Sequence, residues 1–145
     1  MAGLIREASA SDLPAMAGLL GQLGYPVTAA ELAARFARLA ARADHVLLVS
    51  ESDVGLTGLC HLQQIPLIAS DGYVEVHALV VDASHRRRGW GRRLLQEAER
   101  RSRALGATRL RLRSGVHREE AHRFYRDLGD AQRRASLAFE RDLQA

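Results

Sequence analysis

Residues 74–95, VEVHALVVDASHRRRGWGRRLL, constrain the fold more than any other stretch of the chain. The first half alternates apolar and polar residues, as a half-buried strand does. The second half is an Arg/Gly turn that leads into apolar residues at helical spacing. A strand, a glycine-rich turn and a helix N-terminus form an anion site in many proteins, because the first N–H groups of the helix point at the anion. The sequence therefore predicts a domain built around an anion-binding turn.

The remaining apolar pattern predicts the element order β-α-α-β-β-β-α-β-α-β. The predicted strands are residues 4–6, 45–50, 54–62, 73–81, 108–113 and 136–143, and the predicted helices are residues 13–23, 28–42, 91–105 and 119–128. Hairpins mixed with crossovers indicate an α+β fold with a mixed sheet. A length of 145 residues suits a single domain over residues 1–145.

Composition limits the classes of function. The chain has 21 basic residues, all Arg, against 17 acidic ones, for a net charge of +4. Many of the arginines lie within residues 86–113, and this cluster indicates a polyanionic ligand without identifying it. Because Cys60 is the only cysteine, an internal disulfide framework is excluded. No apolar run is long enough to cross a bilayer and no signal-peptide pattern is seen, so the cytoplasm is the expected location.

The turn itself, Arg86 to Gly91, has the pattern R-x-x-G-x-G. Its glycines allow a tight bend and a close approach of N–H groups to an anion, and its arginines can add charge-assisted bonds. It is too short for a P-loop and lacks the third glycine of a dinucleotide fingerprint. The alternative is a solvated Arg run beside an ordinary turn.

Two stretches resemble the GNAT acetyltransferases. VVDASHRRRGWGRRLL is similar to that family's motif A, V-x-x-x-x-R-x-x-G-x-G/A, and AHRFYRDLG, residues 121–129, is similar to its A-x-x-F-Y-x-x-x-G segment. Their order and spacing leave room for one helix and one strand between them. The resemblance covers nearly the whole chain, and it implies a largely antiparallel sheet of six to seven strands flanked by about four helices.

The same resemblance implies an enzyme that uses acetyl-CoA as acetyl donor. It implies that backbone groups of Leu79 and Val81, at the end of the fourth strand, hold the pantetheine arm and that the amides of residues 87–92 hold the pyrophosphate. Arg118 occupies the position where the family often has Asn, and Asp130 the position of a usual aromatic residue. The implied cofactor-binding residues are Leu79, Val80, Val81, Arg86, Arg87, Arg88, Gly89, Trp90, Gly91, Arg92, Arg118, Ala121 and Phe124.

Acetyl transfer to an amine requires a neutral amine, and a free alkylammonium has a pKa of ~10, so a general base is needed. By strand alternation, Glu75 and His77 share one face with Tyr73, Leu79 and Val81. EVHALVV also resembles the H-x-H-A-L-x-V strand of arylalkylamine N-acetyltransferases, in which two histidines act in proton transfer. We therefore expect His77 to be the base, with Glu75 as its partner or as the ligand of the substrate ammonium. The alternative is an ordinary structural pair on a strand.

Tyr125 lies on the family's tyrosine near the thioester sulfur, and the resemblance implies a phenol that can protonate the leaving thiolate. The alternative is a packed helix aromatic. A metal site is not expected, since His117 and His122 are not spaced i, i+4 and Cys60 lies on a distant strand. Cys60 is expected to be a small buried residue.

Several functions remain open from the sequence. The favoured one is transfer of acetyl to the primary amine of a small molecule, by direct attack in a ternary complex. A protein N-terminus or lysine could be the acceptor instead, or the fold could bind CoA without catalysis. A nucleic-acid-binding module is disfavoured, because the Arg cluster has no interleaved aromatics or known binding motif. A membrane partner is not expected, and a homodimer is left open.

Overall fold

The computed structural model describes residues 3–112 and 137–144. In chain order, its strands are β1 (Gly3–Glu7), β2 (His45–Ser52), β3 (Gly55–Ile65), β4 (Tyr73–Val81) and β5 (Leu110–Leu112). Its α-helices are α1 (Leu13–Leu23), α2 (Ala29–Ala40) and α3 (Trp90–Ala104). Single 3-10 turns precede α1 and α3, at Ala10–Asp12 and Ala83–His85.

The five strands form one sheet in the order β1-β2-β3-β4-β5. Neighbours from β1 to β4 are antiparallel, and β5 pairs with β4 in parallel. The parallel pair requires a crossover connection, which α3 provides. This arrangement confirms the predicted α+β class, the mixed sheet and the β2–β3 hairpin.

One face of the sheet packs against α1 and α2. The buried residues of this layer are Met16, Leu19, Leu32, Val49, Leu59 and Val80. The start of α2 is fixed by a capping box, in which Thr28 and Glu31 each accept the other's backbone N–H at 3.1 Å. Two reciprocal cap bonds satisfy N–H groups that the first turn of a helix leaves without acceptors.

The opposite face packs against α3, whose buried residues include Trp90, Leu94, Leu95 and Ala98. Gly58 permits this contact, since a Cβ at that position would lie 2.8 Å from Leu94 Cδ1 and 2.9 Å from the Val80 carbonyl. A glycine inside a strand often marks such a close approach.

Some predicted boundaries are wrong. Helix α3 begins at Trp90 rather than Gly91, because Gly89 takes the N-cap position with a left-handed backbone (φ +85°). The strand predicted over residues 136–143 is absent from residues 137–143, which have no strand assignment. Alternation alone does not show whether a neighbouring strand is available to pair.

Residues 3–112 and 137–144 contain five strands and three α-helices, so the expected count of six to seven strands and about four helices is not confirmed. The fourth predicted helix, residues 119–128, lies outside the described residues. The chain divides into two compact units, residues 1–113 and 114–145. The first contains the whole sheet described above. In the second, residues 137–144 include a bond from the Gln144 N–H to Asp142 Oδ1 at 2.9 Å.

A charged network ties β1 to the start of α1. Arg6 donates to both carboxylate oxygens of Asp12, at 2.7 and 2.8 Å, and to Glu51 at 2.6 Å. Asp12 is 7 % exposed and also accepts the Ser9 N–H at 2.8 Å. Hydrogen bonds from Arg6 are the main reason that the pKa of Asp12 is lowered to about 2. A buried carboxylate with a two-pronged Arg partner stabilises the fold only while it is ionised.

We expect Asp12→Asn, which keeps the shape of the side chain but not its charge, to lower the free energy of unfolding by about 2 kcal/mol at pH 7. The folded pKa of Asp12 lies below its unfolded value. Its contribution is therefore complete above about pH 4 and is lost as the pH falls toward 2. Urea unfolding at pH 7 and at pH 2 to 3 measures both. Asp53→Asn, at an exposed turn position, is the control, and a pH-independent difference between wild type and Asp12→Asn would contradict the assignment.

Candidate active site

A β-bulge in β4 positions the predicted base. His61 of β3 lies opposite Ala78 and Leu62 lies opposite Val76, so His77 is an extra residue with no partner in the ladder. An extra residue on one strand of a pair bends that strand and shifts the alternation of its side chains. The bulge keeps His77 on the same face as Glu75.

The shift overturns part of the predicted face. Beyond the bulge, Leu79 lies opposite Cys60 and Val81 opposite Gly58, and Gly58 faces Leu94 of α3. Cross-strand partners share a face of the sheet. Leu79 and Val81 therefore lie on the α3 side, whereas Glu75 and His77 lie on the α1/α2 side.

Two side chains flank the His77 ring. Nε2 lies 2.7 Å from Gln63 Oε1, and Nδ1 lies 3.9 Å from Glu75 Oε2. Because an amide oxygen can only accept, Nε2 carries the proton in this arrangement and the neutral ring presents a lone pair at Nδ1. A donor placed between Nδ1 and the Glu75 carboxylate, such as an ammonium group, could bond to both.

His77 is the last of three histidines in a row across the sheet. His45 Nδ1 and His61 Nε2 are 2.8 Å apart, and the His61 and His77 ring centroids are 5.0 Å apart. Burial, followed by the neighbouring His77 and His45, lowers the pKa of His61 to about 4. Burial also lowers the pKa of His45. Both rings are therefore held in the neutral form around pH 7.

Sequence reasoning missed His45 and His61. The signal that could have found them is the strand register, which sets His45 opposite Gln63 and His61 opposite Leu47 on β2 and Ala78 on β4. That register depends on the bulge, and a single sequence does not show where a bulge lies.

A cleft opens beside the His45 end of this row. Its described lining residues are Arg35, Arg38, Leu39, Arg42, His45 and Gln63. Gln63 thus belongs both to the cleft wall and to the surroundings of His77. The Gln63 side chain therefore lies between the cleft and the His77 ring.

The Arg/Gly turn is anchored from α1. Gln22 Nε2 donates to Asp82 Oδ1 at 2.7 Å and its Oε1 accepts the Ala83 N–H at 2.8 Å. Asp82 also accepts bonds from the Ser84 hydroxyl and from His85. These bonds lower the pKa of the Asp82 carboxyl, with that from Ser84 contributing most. The turn is therefore held at its first residues before the arginines begin.

Two left-handed residues shape the rest of the turn. Arg87 has φ +62° and Gly89 has φ +85°. The first intrahelical bond of α3 runs from the Arg93 N–H to the Gly89 carbonyl at 3.0 Å. Helix geometry leaves the amides of Trp90, Gly91 and Arg92 without an intrahelical acceptor. Among the residues that the structure describes, nothing lies within 4 Å of a Cβ placed at Gly89, so the space beside this residue is open.

The predicted cofactor residues around the turn differ in availability. Arg87, Arg88 and Arg92 are exposed, whereas the Arg86 Nε donates to the Val81 carbonyl at 3.1 Å. Trp90 is 1 % exposed as a whole residue, so its side chain is not available to a ligand. Four predicted site residues, Arg118, Ala121, Phe124 and Tyr125, lie outside the described residues.

Cys60 is buried and free, and burial raises its pKa to about 12. It therefore behaves as the small buried residue that was expected. Residues 3–112 and 137–144 contain no group of three or more His, Cys, Asp or Glu side chains placed to hold a metal ion. Within the same ranges, no helix combines the length and apolarity needed to span a bilayer.

Comparison with known proteins identifies a family. The Acetyltransferase (GNAT) family model matches residues 14–130. A Trypanosoma brucei acetyltransferase is 28 % identical with a TM-score of 0.78, covering 96 % of this chain and 99 % of that one. Glucosamine-6-phosphate N-acetyltransferase from Arabidopsis thaliana is 22 % identical with a TM-score of 0.80, covering 98 % and 100 %.

A third similar structure is AAC(6')-Iy in complex with a bisubstrate analogue, CoA-S-monomethyl-acetylneamine. It is 15 % identical with a TM-score of 0.86, covering 98 % of this chain and 99 % of that one. At this identity the likeness shows the fold alone. No curated protein sequence matches significantly.

We expect the half-buried His61 ring to make the fold sensitive to mild acid. Its folded pKa, about 4, lies below the unfolded value of ~6.5, so the unfolded chain binds a proton first and stability is lost as the pH falls from about 6.5 to 4. His61→Gln should make the free energy of unfolding less dependent on pH in that window. Urea unfolding in steps from pH 7 to pH 4 measures this, and parallel curves for wild type and variant would contradict it.

Proposed function

The chain belongs to the GNAT acetyltransferase family and is thus an acyltransferase, and we propose that it is an acetyl-CoA-dependent N-acetyltransferase. Its acceptor is the primary amine of a small molecule, which attacks the donor directly in a ternary complex. The observation that carries the proposal is the Glu75–His77–Gln63 arrangement at the bulge of β4. The family match runs over residues 14–130, which supports a single N-acetyltransferase domain over residues 1–145.

The Arg/Gly turn is the proposed site of the coenzyme's pyrophosphate. Its residues fit that group, since the first amides of α3 have no intrahelical acceptor, the space beside Gly89 is open among the described residues, and Arg87, Arg88 and Arg92 are exposed. A helix N-terminus favours an anion, and guanidinium groups add charge-assisted bonds. The bound coenzyme supplies an acetyl thioester.

Backbone groups of Leu79, Val80 and Val81 remain the proposed contacts of the pantetheine arm. The Val81 carbonyl already accepts a hydrogen bond from Arg86 Nε. The N–H groups of this segment are therefore more available to the pantetheine arm than that carbonyl is. Arg86 is then a residue that holds the end of β4 in place and reaches the coenzyme less directly than its neighbours. Arg118, Ala121 and Phe124 keep their cofactor-binding role on the resemblance alone.

Glu75 and His77 are the proposed groups that prepare the amine. An alkylammonium has a pKa of ~10 and must lose a proton before it can attack. The Glu75 carboxylate, whose side chain is 13 % exposed, attracts the ammonium, and Nδ1 of His77 accepts its proton. Gln63 holds the ring in the tautomer that leaves Nδ1 unprotonated. The proposed proton donor to the departing thiolate is Tyr125, again on the resemblance.

A small acceptor agrees with two of the similar structures, one a glucosamine-6-phosphate N-acetyltransferase and one a complex with an acetylneamine-containing analogue. The test is release of free thiol from acetyl-CoA across three kinds of acceptor: small amines, peptide N-termini and lysine peptides. Turnover confined to small amines supports the proposal. Turnover confined to peptides would favour a protein acceptor. Coenzyme binding by calorimetry with no turnover at all would indicate a fold that binds CoA without catalysis.

We expect Gly89→Ala to weaken CoA binding, by about tenfold or more, because its Cβ enters the open space beside the N-cap residue of α3. Gly106→Ala is a matched control, since Gly106 has φ +84° against +85° at Gly89 and is equally open. Both variants should lose about 1 kcal/mol of stability from backbone strain. Calorimetry with CoA and urea unfolding separate the two effects, and equal affinity in both variants would rule out the turn as the pyrophosphate site.

We expect His77→Ala to lower kcat about 100-fold at pH 7, with the deficit shrinking as the pH approaches the pKa of the free amine. Above that pH the amine is neutral without help. Glu75→Gln should instead raise KM for a cationic amine more than it lowers kcat. The pH dependence of thiol release measures both, and profiles of the same shape for wild type and His77→Ala would remove His77 as the base.

A further inference from the structure

The cleft beside His45 carries positive charge that the mechanism proposed above does not use. We propose that the acceptor amine also carries an anionic group, a carboxylate or a phosphate, and that this group binds in the cleft formed by Arg35, Arg38 and Arg42. The inference rests on the proposed function, and it names the class of acceptor.

Two of the three guanidinium groups come from one side of α2. Arg35 and Arg38 are spaced i, i+3, which places their side chains over the same strip of the helix surface, and Arg42 follows two residues after the helix ends at Ala40. Leu39, which is half-buried, lies between them. No Asp or Glu is among the described residues that line the cleft. The lining is therefore cationic as a whole.

Neighbouring carboxylates neutralise only two of the three arginines, Arg35 and Arg42. Glu31 lies 3.6 Å from Arg35 on the same helix, and Asp44 lies 2.8 Å from Arg42. Arg38, in the middle, makes no ion pair with any residue in the described ranges 3–112 and 137–144. An anionic ligand at this position would form an ion pair with the Arg38 guanidinium.

The cleft is connected to the proposed reacting centre through Gln63. Gln63 lies opposite His45 on β2 and opposite Glu75 on β4, and its Oε1 accepts from His77 Nε2 at 2.7 Å. His45 and Glu75 are thus two strand spacings apart, or about 10 Å. A small molecule can span that distance with an ammonium beside Glu75 and an anion in the cleft beside His45, which Arg38 also lines.

The charges of the two ends would also set orientation. Glu75 is acidic and would attract the ammonium, and the α2 arginines would attract the anion and repel the ammonium. A molecule with both groups therefore binds with its amine toward His77. An uncharged or purely cationic amine lacks the second contact and binds without this constraint.

The experiment compares acceptors that differ only in the anionic group. One pair is 6-aminohexanoate and 6-aminohexanamide, and the other is 5-aminopentyl phosphate and 5-aminopentanol. For each, kcat/KM is measured by thiol release, and binding is measured by calorimetry with enzyme saturated with CoA. The variants are Arg38→Ala in the cleft and Arg103→Ala on α3, where Arg103 is exposed and lies 3.9 Å from Glu99.

We expect an anionic member of at least one pair to be preferred by about tenfold or more over its neutral partner. Arg38→Ala should abolish most of that preference, and Arg103→Ala should keep it. Preference in the first pair alone identifies a carboxylate, and in the second alone a phosphate. Equal binding of both members in both pairs, or a preference unchanged in Arg38→Ala, overturns the inference. Tighter binding of the anionic member without thiol release supports the anion site and counts against the proposed function.

Discussion

The arrangement of the candidate site depends on one extra residue in β4. Opposite His61 and Leu62, β4 uses three residues where β3 uses two, and the additional one is His77. Without the bulge, strict alternation would carry the Glu75 face on to Leu79 and Val81 and would turn Val80 toward α3. With the bulge, Val80 joins the core under α1, on the same side of the sheet as Glu75 and His77. Leu79 and Val81, which follow the bulge, face the opposite side. One strand thus presents a polar pair first and then leads into the Arg/Gly turn.

Two cationic regions lie at opposite ends of this strand. The Arg/Gly turn follows the end of β4, and the α2 arginines lie near its start, beyond Gln63. Both regions are held by polar contacts with other elements. Gln22 of α1 anchors the turn through Asp82 and Ala83, and Asp44 holds Arg42 at the end of α2. An anionic coenzyme at one end and an anionic acceptor at the other would meet at Glu75 and His77.

Much of the fold could be predicted from the sequence because its signals are local. The capping box of Thr28 and Glu31, the hairpin of β2 and β3, and the glycine turn before α3 each depend on residues close together in the chain. Gly58 was also informative, since a glycine inside a strand often marks a bulge or the close approach of a neighbouring element. The site was predicted less completely. His45 and His61 join it through register, the register depends on the bulge, and the strand expected over residues 136–143 needed a pairing partner that alternation does not report.

The central claim is that Gln63 holds His77 with its proton on Nε2, leaving Nδ1 as the base that faces Glu75. Long-range proton–nitrogen correlation spectra of the imidazole rings, recorded at neutral pH on the wild-type protein and on Gln63→Leu, test this directly. We expect the neutral tautomer of the wild-type His77 ring to carry its proton on Nε2, and we expect this preference to weaken in Gln63→Leu. A His77 ring protonated at Nδ1 in the wild-type protein would contradict the account.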